Sequence, residues 1–506
     1  MVMRITNQTQ QQNALNNIFR ITEDLFRVQN QIASTKRINK PSDDPAGIRD
    51  TLALRTDIDK IKQFERNIDN NQIFLQTGET ALEAIGTGLT RAKELSIVEL
   101  SGLSTSETRG FAAAELDKII SSVFQAANTK VKNLFLFSGT KTRTTPFELS
   151  ASGAVYRGNT DNFTIQIAED TKIEVTIPGS DVLTTDLSPD LNTSTPLSQL
   201  DGGNGIVPGS FSIADRAGNS ATISVSSSMT VGNLISAINS ASVNVTASVN
   251  SSGNGITLTD TSSVVTQSLT VSEVSSGTTA TSLGIVGKSD GNIEGTDLNP
   301  TLSSATLISE LNGGQGLSLG DVSIVNGSAS GTVSLSSATT VGDVISLING
   351  SGLNVTAGIN SAGNSLQVIS NSSSTVAVVN DIDTGTTAED LGIGGGRNVI
   401  NTIIKLKQAM EQDDTSGILA SLVNLDSGLQ SINESRAVFG AVLRRIQSTE
   451  FIHQQDIVDR NDQMGDIEDA DIVKAASDLA ALETALQATL SSTARIIQPT
   501  LLDFLR

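Results

Sequence analysis

The stretch LRTDIDKIKQFERNIDNNQIFLQTGETALEAIGTGL, residues 54–89, carries a large aliphatic at every seventh position: Leu54, Ile61, Ile68, Leu75, Leu82 and Leu89. Seven residues are close to two helical turns, so these side chains form one stripe along a helix, and another helix must cover it. A second column lies near the other end. There Ile418, Leu422, Leu425, Leu429, Ile432, Phe439, Leu443 and Ile446 step by fours and threes, with one slip at Arg436. Long coiled-coil arms at both ends, with different material between them, point to a chain built to assemble.

Working outward, residues 6–34 read as a helix in which Leu15, Ile18, Leu25 and Ile32 keep the 3/4 spacing. Pro41 and Pro45 interrupt the pattern within Lys36–Gly47. Helices follow over about 48–98 and 107–131, and on the far side over 398–411, 416–464 and 470–497. Gly78, Gly86 and Gly88 weaken the second of these locally. The last helix places Leu479, Leu482, Leu486 and Leu490 on one side. Pro499 stops it, and Leu501, Leu502, Phe504 and Leu505 close the chain with an apolar tail that is equally readable as core or as a partner-binding segment.

Between the arms the grammar changes. Phe163–Ile167 and Lys172–Ile177 alternate with period two, a strand signal. Residues 180–396 are rich in Ser, Thr, Gly, Asn and Val, a composition compatible with disorder, but they contain an internal repeat. LDGGNG at 200–205 matches LNGGQG at 311–316, TVGNLISAIN at 230–239 matches TVGDVISLIN at 340–349, and NVTA recurs at 244 and 354. The expected fold class is α+β multidomain: long terminal helices as coiled-coil arms, a β-hairpin region, and two repeated β-rich inserted domains. The divisions are 1–47, 48–138, 139–179, 180–290, 291–396, 397–464 and 465–506.

Composition narrows the chemistry. The chain has no Cys, which excludes disulfides, thiolate catalysis and Cys-ligated metal. Net charge is −21, and residues 179–396 hold only Arg216 and Lys288 against 17 Asp and Glu. An acidic surface argues against nucleic acid and anionic membranes, and no apolar run approaches a membrane span. The N-terminal MVMRITNQTQQQNALNN lacks the apolar core of a signal peptide, so the expectation is a cytoplasmic chain or one exported without cleavage.

Candidate chemical groups are few. His453, the single histidine, falls in phase with the C-terminal stripe and reads as a packed helix residue. Asp43, Asp44, Pro45 and Gly47 read as a helix start: an N-cap carboxylate, Pro at the first helical position, and favourable charge near the dipole. The glycine clusters at 202–205, 313–316 and 394–396 lack the Lys and Ser or Thr of a phosphate loop and read as turns and a hinge. No acid/base or nucleophile set is visible, so neither enzyme activity nor a cofactor is expected.

Four motifs resemble the flagellin superfamily, and within it the hook-associated protein 3 family, the hook–filament junction proteins. They are KRINKPSDDPAG at 36–47, NLFLFSGTKT at 133–142 followed by Pro146-Phe147, IEDADI at 467–472 with LETALQATL at 482–490, and LLDFL at 501–505. The resemblance covers about 1–150 and 397–506; the double insert is a departure from a minimal junction protein. It implies an extracellular flagellar subunit, exported through the flagellar secretion apparatus, that self-associates in a ring between the first hook-associated protein and flagellin. It also implies a cytoplasmic export chaperone at the C-terminal helix. The candidate assembly interface then comprises the stripes on the first, second and last helices. A filament flagellin is the alternative reading, and an adhesin or enzyme carried by the repeats a more distant one.

Overall fold

A computed structural model describes residues 7–150, 153–187 and 189–497. Its helices are α1 Asn7–Ser34, α2 Pro45–Glu99, α3 Ser106–Ala127, α4 Val231–Asn239, α5 Thr279–Ser282, α6 Val341–Asn349, α7 Thr387–Asp390, α8 Val399–Glu411, α9 Thr415–Glu468 and α10 Ile472–Ile497. These agree with the periodic segments of the sequence to within a few residues, with one difference. The third helix ends at Ala127, short of 131, because Lys132 and Asn133 adopt φ of 49° and 66° and turn the chain into a small hairpin pairing Lys130 with Phe135.

Among the described residues, those up to Asp69, with 166–171 and those from Arg445 on, form one compact unit; 70–165 and 172–444 form a second. In the first unit α1 packs along α10, and the strip of α2 beside α9 is antiparallel, with Asp57 paired to Arg460 at 2.6 Å and Phe64 facing His453. In the second unit α2 and α9 again run antiparallel: Glu79 pairs with Arg436 at 2.7 Å and Lys93 with Asp426. Gly78 has a structural reason there. A Cβ at that position would stand 2.9 Å from the buried Phe439 ring, so the glycine makes room for the aromatic that follows the Arg436 slip.

Thr105 begins α3 with a capping box to Thr108. The helix packs on α8, which in turn meets the hairpin Phe147–Ser150/Gly153–Tyr156. Beneath that hairpin Phe135, Leu136 and Phe137 of the 133–142 motif are buried, and the Tyr156 hydroxyl lies 2.9 Å from the Phe137 carbonyl.

The two repeats share a plan. A hairpin is followed by a nine-residue helix, a second hairpin and a returning strand that pairs with the first strand of the unit. In the first repeat one sheet runs in the order 287–289, 269–273, 209–214, 220–225, and the other in the order 293–294, 256–260, 245–249. In the second repeat the sheets are 329–334, 321–326, 377–381 and the pair 355–359, 366–370. Local chemistry repeats as well. Thr230 and Thr340 cap their helices with Asn233 and Asp343 as reciprocal partners. The Asn239 side chain bridges the backbone of Ala247, and Asn349 bridges Ala357 in the same way.

Each repeat has its own core, the first drawn from Leu191 to Leu298 and the second from Leu187 and from Leu302 to Ile393. Residues 291–298, assigned to the second copy by sequence spacing, join the first repeat because Ile293 and Glu294 form a strand on 256–260. The sequence matches leave the interval from 286 to 310 without a marker, so the spacing alone could not place this strand.

Candidate assembly interface

The predicted interface residues divide by burial. Ile61, Ile68, Leu75, Leu82 and Leu89 are buried, and Leu54 is half-buried. The 54–89 column is therefore covered largely by this chain's own returning helix: Gly428 sits beside Leu89, and Ile432 beside Gly86. A side chain with no exposed surface offers nothing to a second molecule, so these five residues hold the subunit together rather than forming a surface between subunits. His453 is part of the same kind of seam, buried with its ring 6.1 Å from that of Phe64.

The terminal helices are different. Ile18, Leu25, Ile32, Leu479, Leu482 and Leu486 are half-buried, and Leu15 and Leu490 are exposed. Large apolar side chains that the sequence stripes did not single out also face outward in this unit: Phe19 is 68% exposed, Phe26 60% and Phe451 69%. Phenylalanines this open are uncommon on the surface of a folded chain, which fits a unit that meets other molecules. The stripe through Ile18 and Leu25 passes over Phe19 and Phe26, which lie one position on and keep the same seven-residue spacing. The tail residues Leu501, Leu502, Phe504 and Leu505 lie outside the described residues.

Two of the four sequence motifs, more than 400 positions apart, meet in one knot. The Arg37 amide donates to the Glu468 carbonyl at 2.6 Å, the Arg37 guanidinium to the Ile467 carbonyl at 2.7 Å, and the Ala470 amide to the Thr35 carbonyl at 3.0 Å. The Glu468 carboxylate accepts from Lys36 and, at 2.6 Å, from Arg55. Burial alone would raise the Glu468 carboxyl. The Lys36 hydrogen bond and charge, the Arg55 charge and the Thr51 hydroxyl outweigh burial and hold the carboxyl below its ordinary 4.5.

Asp43 and Asp44 order the same loop. Asp43 accepts the amides of Lys40 at 2.8 Å and Asn39 at 3.0 Å. Asp44 accepts the Gly47 amide at 2.9 Å as the cap of α2, with Pro45 at its first position, and meets Arg37 at 3.2 Å. These bonds lower both carboxyls: chiefly the Lys40 amide for Asp43, and the Gly47 amide followed by Arg37 for Asp44. A Cβ on Gly47 would stand 2.8 Å from both Asp44 and Ile38, which accounts for the glycine. Among the described residues no cluster of His, Asp and Glu could hold a metal ion, and no helix is long and apolar enough to cross a membrane.

The pattern of an N-terminal helical arm knotted to a C-terminal one corresponds to known family models at both ends. Residues 5–142 match the bacterial flagellin N-terminal helical region and residues 422–505 the bacterial flagellin C-terminal helical region. Both ends of the chain are thus similar to the helical regions of bacterial flagellins. Curated flagellin-superfamily relatives include flagellar hook-associated protein 3 of Salmonella typhimurium, 24% identical over 168 residues, which are 33% of this chain and 52% of that protein. The flagellar filament core protein flaB2 of Brachyspira hyodysenteriae is 30% identical over 105 residues, 21% of this chain and 37% of that one. The chain spans about a third to a half of the length of these relatives. Solved structures similar to it include FlgL of Xanthomonas campestris, at 15% identity and TM-score 0.38 over 81% of this chain and 99% of that one. The flagellar junction protein FlgL of Legionella pneumophila matches at 16% identity and TM-score 0.35 over 83% and 100%.

Proposed function

We propose that this protein is a structural subunit of the bacterial flagellum that sits at the hook–filament junction. The observation that carries assembly is the exposure of Phe19, Phe26 and Phe451 in the terminal-helix unit, where Leu479, Leu482 and Leu486 are also only half-covered. Burying one such side chain in an interface is worth about 1.5–3 kcal/mol, so a handful suffices to hold neighbouring subunits. The junction, as against the filament, is supported by the alignment to hook-associated protein 3, which extends over 168 residues where that to the filament core protein flaB2 covers 105.

The partners follow from that place. Copies of the chain self-associate in a ring, with the first hook-associated protein on one side and flagellin on the other. Before export, a cytoplasmic chaperone covers the α10 face around Leu482 and Leu486. The chain leaves through the flagellar secretion apparatus and acts outside the cell. The function is mechanical; the reading needs neither a catalytic group nor a cofactor, nucleic acid or membrane insertion. A filament flagellin is the second reading, since the same helical-region models describe it. Quantifying subunits in purified flagella separates the two. A junction protein is a minor species of fixed copy number per flagellum, and a band that grows in proportion to filament length would contradict the junction.

A further inference from the structure

The two repeats differ at one strand edge. In the first repeat the strand Ile256–Asp260 is paired on both sides, by Val245–Val249 and, through Thr257 opposite Glu294 and Leu258 opposite Ile293, by the short strand Ile293–Glu294. The Gly295 amide donates to the Ile256 carbonyl at 2.9 Å, and the Thr257 hydroxyl donates to the Glu294 carboxylate. Among the described residues the corresponding strand of the second repeat, Leu366–Ser370, pairs only with Val355–Ile359, and no third strand adds there. After Ile393 the turn at Gly394–Gly396 leads directly into α8, where the first repeat continues to its outer strands.

Bond alternation shows what is left open. The Asn360 amide bonds the Ser365 carbonyl and the Asn371 amide bonds the Asn354 carbonyl, which directs the backbone groups of Leu366 and Val368 to the other side. The only hydrogen bond found to them there, among the described residues, is a long one of 3.4 Å from the Ser365 hydroxyl to the Leu366 carbonyl. The 377–381 edge of this repeat's other sheet is handled differently. The Asp414 carboxylate accepts the Val376 amide and the Asn424 side chain donates to the Val379 carbonyl, both at 2.9 Å, so α9 caps it.

A cavity of about 270 Å³ lies along the uncapped edge, between Leu366–Ser370 and α8. Gln367, the counterpart of Thr257, lines it, as do Gln412 and Lys405, and the side-chain oxygens of both glutamines are buried without a partner. Lys405 has no carboxylate in ion-pair range among the described residues and reaches only the Ile393 carbonyl, at 3.5 Å. Burial brings its ammonium down to about 8. The orphaned glutamine oxygens call for N–H donors and the Lys405 ammonium for an acceptor, so an occupant that brings both backbone amides and a carboxylate relieves them together.

We propose that the cleft between Leu366–Ser370 and α8 binds an extended acidic segment of another protein chain, which adds as an antiparallel strand to the Leu366–Val368 edge and places its carboxylate at Lys405 and the Gln367 side-chain N–H. The template is the first repeat itself: Ile293-Glu294-Gly295 supplies an apolar side chain, a carboxylate and a close backbone approach in the register that the second repeat leaves vacant. The occupant is thus a peptide reading apolar–acidic–glycine.

The probe is a fluorescent peptide copying residues 290–298, DGNIEGTDL, titrated into the full chain and followed by anisotropy. Saturable binding is expected, weakened by roughly tenfold or more when the peptide's glutamate is replaced by lysine. Lys405→Glu should reverse that preference. Val368→Pro removes the outward N–H together with a buried side chain, and in the folded variant it should abolish binding of both peptides. Circular dichroism melts of both variants establish that the fold persists. Absence of saturable binding to the native chain up to about 1 mM overturns the proposal. So does binding indifferent to Lys405→Glu in a folded variant, which would put the peptide elsewhere.

Discussion

Replacing Glu468 with Ala should unfasten the knot between the loop 35–38 and the end of α9. The Glu468 side chain is only 4% exposed, while those of its partners Lys36 and Arg55 are 40% and 50% exposed. Cations this open recover water when the carboxylate is lost, so the cost falls below the ~3–5 kcal/mol of breaking a fully buried pair. It exceeds the ~0–1 kcal/mol of a surface pair, because the carboxylate itself is enclosed and its methylenes are packed. We expect about 2–3 kcal/mol, a factor of roughly 30–150 in local opening. Hydrogen exchange at the Arg37 and Ala470 amides reads this directly, since both are bonded across the knot. Their exchange should accelerate by that factor while amides of α4 and α6 stay unchanged. The pH dependence has a fixed sign. Glu468 is lowered from 4.5, so its contribution is complete above that pH and is lost as pH falls through the lowered value. Unchanged exchange at both amides in the variant would refute the claim that Glu468 ties the two motifs together.

Other consequences separate internal packing from surface. Leu82→Ala should cost about 2–5 kcal/mol in denaturant unfolding, because Leu82 is fully buried. Phe26→Asp, at an exposed position, should leave the monomer's melt within about 0.5 kcal/mol of the parent yet stop filaments from attaching to hooks in electron micrographs. Asp215→Ala should destabilise the first repeat by about 3–5 kcal/mol in calorimetry, since its buried carboxylate accepts the amides of Ala217, Asn219 and Asn244 at 2.8–3.0 Å. Burial pushes Asp381 up to about 6 despite bonds from the Ala388 and Glu389 amides, so this group makes the second repeat lose stability as pH rises from 3.8 to 6; a melt series of Asp381→Asn should lack that slope.

Much of the fold was legible because periodicity is a local property. The stripes of α1, α2, α9 and α10 and the matched helices α4 and α6 stand where the 3/4 spacing and the repeated TVG motif put them. Periodicity demands a covering helix but does not name it. Leu75, Leu82 and Leu89 thus read as a surface between subunits until the burial of the stripe within the chain became visible. Phe19 and Phe26 are also seven apart, but spacing does not tell which of two neighbouring columns stays open. The contacts of Lys36 and Arg37 with Glu468 and Ile467 could not be read either, since a pairing across more than 400 residues leaves no trace in local spacing. The unpaired edge at Leu366–Ser370 has the same character: its apolar alternation resembles that of Ile256–Asp260, and the difference in pairing comes from the path the chain takes after Ile393.

Immunogold electron microscopy of intact flagella, with antibody raised against residues 180–396, tests the place of this subunit most directly. A single cluster of label at the hook–filament boundary of each flagellum is the predicted result. Label distributed along the filament would contradict the junction and assign the chain to the filament itself.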